Sequence, residues 1–282
     1  MRGSRLSAVV RIVLSSSVPV LFLLVIIVGF FGATIAPFDP SEINLGARYQ
    51  LPFQSVTHIL GTDQLGRDIL SRILAGAQLS LSLTTIVISL AGFAGVLIGM
   101  ASGYAGGRTD AFLMRCTDAM LALPGIMLAL LMVAVLGTNF WSVTIALLLV
   151  SWARYARFVR GEVLTLRSCE FVDAAVVCGT HPLKILWVHF FPNIVNAVVV
   201  LFTLDIGRII LLESSLAFLG LGLPADSGAW GASIAEGKPY LQTAPWVPLM
   251  PALAMMTTIM ISNGFGNWVS GRLDPRVRTA EQ

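Results

Sequence analysis

Six apolar runs, each of roughly the twenty residues that an α-helix needs to cross a hydrocarbon core, govern what this chain can fold into. They lie at about 18–36, 80–103, 119–136, 140–156, 195–218 and 249–270. Charged residues make up only 12% of the sequence and hydrophobic ones 56%. A soluble domain carries about a quarter charged residues, so there is too little polar surface here to face water on every side. The reading is an all-α polytopic membrane protein with six transmembrane helices, held in a lipid bilayer. The first run follows Arg2, Arg5 and Arg11, which a secretory signal peptide would also show. It is long for such a segment and ends Thr34-Ile35-Ala36-Pro37 without a clean small-x-small site, which favours an uncleaved span.

The net charge of +3 is a record of topology before it is anything else, because basic residues of membrane proteins collect on the cytoplasmic side. No nucleic-acid partner is expected. With the N-terminus inside, thirteen basic residues fall in inner segments (Arg2, Arg5, Arg11; Arg108, Arg115; Arg154, Arg157, Arg160, Arg167, Lys184; Arg272, Arg276, Arg278). Four fall outside: Arg48, Arg67, Arg72 and Lys238. Both termini are therefore expected in the cytoplasm. Cys116, Cys169 and Cys178 are odd in number and lack metal-type spacing, so free thiols are expected.

The stretch 170–193, EFVDAAVVCGTHPLKILWVHFFPN, carries Glu170, Asp173, Lys184 and two histidines between strongly apolar runs and cannot sit in a lipid core. A helix is expected over about 162–178, ended by Gly179, with Pro182 opening a second helix. Leu164, Ser168, Phe171, Ala175 and Cys178 recur at spacings of three and four and would draw one stripe on that first helix. The segment 174–182 is then a narrow knob of small residues beside Phe171. A linker helix lying on lipid headgroups has the same pattern.

Other segments bear on mechanism. Residues 60–72, LGTDQLGRDILSR, alternate Asp63, Arg67, Asp68 and Arg72 after two glycines, which predicts a turn and an exposed amphipathic helix laced by weak local ion pairs. Gly92, Gly95, Gly99 and Gly103 would let another helix approach the second span closely. Pro124 is placed to kink the third. Asp205, Arg208 and Glu213 fall inside the fifth span, where ionisable groups are costly and mark polar pathways by default; Asp205 and Arg208, three apart, can equally neutralise each other. Trp230 and Trp246 suit a membrane interface.

Several of these motifs resemble one family. Asp173-Ala174-Ala175, then Gly179, then Phe191-Pro192-Asn193 is similar to the "EAA" loop of membrane subunits of bacterial ABC importers, with Asp173 where the pattern has Glu and Phe191 where it has Leu. LGTDxLGRDxLSR at 60–72, the FLGLG stretch at 218–222 and Leu273-Asp274-Pro275-Arg276 resemble the "C"-type permease of the dipeptide, oligopeptide and nickel branch. Asn267 stands where that branch usually has Asp. The resemblance implies a type I importer transmembrane fold over 80–271, preceded by a tail, first span and external segment at 1–79 and followed by a tail at 272–282. It also implies that Glu170, Phe171, Asp173, Ala174, Ala175, Gly179, Pro182, Pro192 and Asn193, within a cytoplasmic loop at 162–193, dock on a separate ATP-hydrolysing subunit. The partners it implies are a second homologous permease, two cytoplasmic ATPase subunits and a periplasmic substrate-binding protein.

The chain carries no phosphate-cradling loop of its own: its only lysines are Lys184 and Lys238, and Gly237-Lys238 runs into Pro239. It is expected to bind no cofactor and no metal and to be no enzyme, ATP being consumed by partner subunits. Peptides lead as the solute, with nickel chelates and other small solutes open. An ion-coupled secondary transporter using Asp205, Arg208 and Glu213 is the reading from another class. An intramembrane enzyme fits less well, since neither an H-E-x-x-H nor a G-x-S-x-G motif occurs.

Overall fold

A computed structural model describes residues 2–273. Among them are ten α-helices and no strand, the one bridge joining Thr62 to Asp68 across a loop. The helices are α1 (Arg2–Ile35), α2 (Ile69–Ala105), α3 (Gly107–Ala122), α4 (Gly125–Leu136), α5 (Phe140–Arg167), α6 (Glu170–Val177), α7 (Pro182–Lys184), α8 (Phe191–Phe218), α9 (Trp230–Gly237) and α10 (Trp246–Leu273). Five helical stretches are long and apolar enough to span a bilayer: Ser17–Ile35, Ile69–Ala105, Phe140–Arg167, Pro182–Phe218 and Trp246–Arg272. The sixth is broken. α3 and α4 meet at 84°, as Pro124 predicts, because proline lacks an N–H and pushes the residue before it out of the helical region. Leu123 duly sits extended at ψ 137°.

α2 and α5 form the spine of the bundle, and glycine is the reason they can. A Cβ on Gly95 would stand 2.4 Å from Tyr155 Cβ, one on Gly99 2.6 Å from the Ala156 carbonyl oxygen, and one on Gly103 2.8 Å from Val163 Cγ1. Backbone therefore meets backbone along a strip with one small residue per turn. Gly92, expected on the same strip, instead faces the Phe202 ring of α8. Around this spine one apolar cluster gathers Leu83, Val87, Ala129, Val133, Leu147 and Ile209, and a second gathers Val96, Met100, Val159, Val172, Ile185 and Phe190.

The structure corrects the sequence reading at four places. α2 begins at Ile69 rather than near 80 and runs through the boundary drawn at 79/80. The helix expected over 162–178 is two: α5 ends at Arg167, Ser168 and Cys169 break it, and α6 starts at Glu170, so the stripe from Leu164 to Cys178 lies on no single helix. The expected amphipathic helix at 60–72 is a buried loop followed by the first turn of α2, capped by Asp68, whose carboxylate accepts from the Ser71 N–H at 2.8 Å. Trp230, read as an interface anchor, is buried, and its Nε1–H donates to the Ile73 carbonyl at 3.0 Å.

That buried loop is tied to α9 by charge. Arg67 Nε donates to Asp63 Oδ2 at 2.6 Å and its Nη2 to Glu236 Oε1 at 2.5 Å; Arg72 Nη2 donates to Glu236 Oε2 at 2.8 Å, and Gln64 Nε2 to Glu236 Oε1 at 2.5 Å. Asp63 Oδ1 accepts the backbone N–H groups of Leu65 and Arg67 at 2.8 and 2.9 Å. The turn requires glycine: Gly66 has φ +76°, and a Cβ there would lie 1.8 Å from the Asn44 carbonyl oxygen. The motif Asp274-Pro275-Arg276 and Arg278 lie outside the described residues.

Candidate functional site

At the far end of the bundle from α9, α6 and α7 form a bent arm. Gly179 closes α6 at φ +72°, with its N–H donating to Val176 O at 2.9 Å and the Thr180 N–H to Ala175 O at 3.0 Å. This is a Schellman ending. His181 Nδ1 then accepts the Leu183 N–H at 3.3 Å, and Pro182 opens α7 where its missing N–H costs nothing.

One side of the arm is welded to the bundle and the other faces outward. Val172 and Ala175 are buried in the cluster with Val96, Val159, Ile185 and Phe190. Phe171, Val176, Leu183 and Val188 are exposed, and Val177 at the tip is 87% exposed. Of the residues the sequence singles out here, Glu170, Phe171, Asp173, Ala174, Gly179, Pro182, Pro192 and Asn193 are exposed; Ala175 is the anchor instead. No ion pair among the described residues involves Glu170, Asp173 or Lys184.

The arm continues into the membrane helix without a joint. Between α7 and α8, Ile185–Phe190 is wound as π-helix, so the Phe191 N–H reaches back to Leu186 O. Pro192 explains the widening, since its ring would collide with the carbonyl four residues earlier in a regular α-helix. Asn193 Nδ2 donates to the His189 carbonyl at 2.6 Å.

Deeper along α8 sits the charged cluster. Asp205 is fully buried, 0% exposed, and its Oδ1 accepts from Arg154 Nη1 of α5 at 2.6 Å. Arg208 Nη1 approaches Asp205 Oδ2 at 3.5 Å, so the expected self-pairing is present but is the looser of two contacts. Arg154 belongs to a ladder: on successive turns of α5, Arg157 pairs with Asp118 of α3, and Arg160 grips Asp110 of α3 through Nε and Nη2, both at 2.6 Å. Glu213, buried on another side of α8, joins no ion pair among the described residues and accepts only from Ser214 Oγ at 3.3 Å.

Arg154 is the residue that the sequence reading counted in an inner segment and did not join to the cluster. It lies at the middle of α5, where an arginine costs about 2.5–3.5 kcal/mol on insertion scales, which is itself a signal of function. Its partner stands 51 residues away, beyond any local spacing rule. Among the described residues, no group of three or more His, Cys, Asp or Glu side chains could hold a metal. The arrangement joins the arm to α8 and presents charge along that helix.

Comparison with known proteins follows the same lines. Residues 95–279 match the model of the binding-protein-dependent transport system inner membrane component family, a range that holds the arm, the cluster and α9. The chain belongs to this family.

As a permease it is similar over most of its length to transporter subunits of known type. It is 36% identical over 257 residues, 91% of this chain and 86% of the relative, to a probable D,D-dipeptide transport system permease protein of Escherichia coli K12. To a di/tripeptide transport system permease protein of Pseudomonas aeruginosa UCBPP-PA14 it is 35% identical, covering 92% and 86%. To a nickel transport system permease protein of Escherichia coli K12 it is 38% identical, covering 86% and 87%. The chain is thus an ABC importer permease of the C-type peptide and nickel group, a multi-pass membrane protein of an inner-membrane transport family.

Proposed function

We propose that this permease forms, with a second homologous permease, the path by which peptides delivered from a periplasmic binding protein enter the cell, and that two cytoplasmic ATPase subunits drive it by gripping the α6–α7 arm. One observation carries the reading: an arm with an outward apolar tip, buried on its inner side against α2 and α5, runs without a joint into α8. Surface of that kind on a membrane protein calls for a protein partner. The excess of basic residues in the inner segments of the sequence supports a cytoplasmic arm and cytoplasmic termini, on the side where ATP is, with the buried Asp63–Glu236 network on the outer side.

ATP belongs to those partners, and the permease itself is no enzyme. As the ATPases close, the arm moves with them and α8 follows, reshaping the path around Asp205 and Arg208. A nickel or other small-solute importer is the second reading, favoured by the nickel relative at 38% identity.

Val177→Glu tests the arm. Because the side chain is 87% exposed, stability should move by less than about 0.5 kcal/mol. Uptake by the assembled importer should fall more than about tenfold, as expected when an interface anchor is lost. Undiminished uptake would refute the proposed docking. The solute is tested by mass spectrometry of the ligand that copurifies with the binding protein: a peptide supports the first reading, a metal chelate the second.

A further inference from the structure

The cluster on α5 and α8 carries one positive charge more than its own residues cancel. Among the described residues Asp205 is the single acid paired with them, shared between Arg154 and Arg208, and Glu213 pairs with neither. The carboxylate is wholly buried beneath the two guanidiniums, while their own side chains remain 42% and 32% exposed. Arg154 holds the short contact, so Arg208, at 3.5 Å, keeps most of its five N–H donors uncommitted.

Position in the helix makes this surplus informative. Arg208 lies ten residues before the end of α8 at Phe218, about 15 Å along the axis and well inside the apolar stretch Pro182–Phe218. Ionisable side chains within such a stretch almost always face the interior of a bundle or a water-filled cavity. The same side of α8 continues through Leu211 and Ser215 into a cavity of about 370 Å³ lined also by Phe218, Ile234 and Met255. The charged patch and the cavity form one surface leading toward the α9 end.

We propose that Arg208, backed by the Arg154–Asp205 pair, is a way-station for the carboxylate of the travelling solute. Guanidinium and carboxylate match in shape and charge, and the surplus here is a single unit. Asp205 keeps the site from holding an anion too tightly: it cancels one of the two cations, leaving an attraction strong enough to gather a carboxylate and weak enough to release it. Peptides carry a terminal carboxylate, so the assignment rests on the importer reading given above.

The test uses the assembled importer in membrane vesicles, with Cys116, Cys169 and Cys178 replaced by serine and Leu211→Cys introduced one turn from Arg208. Relative to their rates on free 2-mercaptoethanol, sulfonatoethyl methanethiosulfonate, an anion, should be favoured at this thiol over its trimethylammonium counterpart by at least about tenfold, as a focused positive potential requires. Adding Arg208→Gln should return the ratio close to its free-thiol value. Dialanine should slow the anionic reagent and dialaninamide, which lacks the carboxylate, should not. If neither reagent reacts, the face is covered by lipid or by the second permease and the proposal fails. It fails equally if the ratio ignores Arg208→Gln, or if the two dipeptides act alike. Failure here together with loss of uptake in Val177→Glu would remove the way-station and leave the importer reading standing.

Discussion

The two ends of the bundle solve the same problem, a loop that must hold a shape, in opposite ways. At the α9 end, Asp63, Arg67, Arg72 and Glu236 satisfy one another in a buried network that joins residues about 170 apart in sequence. At the arm, Glu170, Asp173 and Lys184 form no ion pair among the described residues, and apolar side chains stand in the open. The first end is finished by its own chain. The second leaves apolar side chains uncovered, and in the proposed reading an ATPase covers them.

The sharpest way to break this contrast is to remove the hub of the network. Glu236→Ala leaves Asp63 to serve both Arg67, at 2.6 Å, and Arg72, at 3.6 Å, and losing one partner of a largely buried charged set costs about 3–5 kcal/mol. Thermal unfolding of the detergent-solubilised protein should show a large drop; an unchanged midpoint would mean the end is not locked. A pair of glycines sharpens the same comparison. Gly66→Ala adds left-handed strain and a Cβ only 1.8 Å from the Asn44 carbonyl oxygen, for a loss of about 2–4 kcal/mol. Gly179→Ala, at a similar φ of +72° but with nothing within 4 Å, pays for conformation alone and should cost about 1 kcal/mol. Equal losses at the two sites, read by the same unfolding measurement, would erase the difference between a packed turn and an open one.

Much of this was legible in the sequence because it is written in short-range signals. The apolar runs, the helix stop at Gly179, the start at Pro182 and the bend at Pro124 each depend on neighbours within a turn or two. What was misread depends on distant partners. Asp63, Arg67 and Arg72 look like a surface ladder when spacing is the only guide, because Glu236 is far away in the chain. Arg154 hides for the same reason, its acid being on another helix. The break at Ser168 and Cys169 left no mark, since neither residue is a strong helix breaker. The proposed docking role of the arm comes from resemblance, and the geometry adds what resemblance lacked, a continuous helical connection from Pro182 to Asp205.

The bend between α3 and α4 has a consequence for the lipid itself. Twelve residues of α4 reach only about 18 Å, well short of a hydrocarbon layer about 30 Å deep. Along that wall the surrounding film must pinch inward or yield its place to a neighbouring protein. Either way, the flank bearing Met127, Leu131 and Val135 is where acyl chains are least at ease, and where a companion subunit displaces the fewest well-ordered ones.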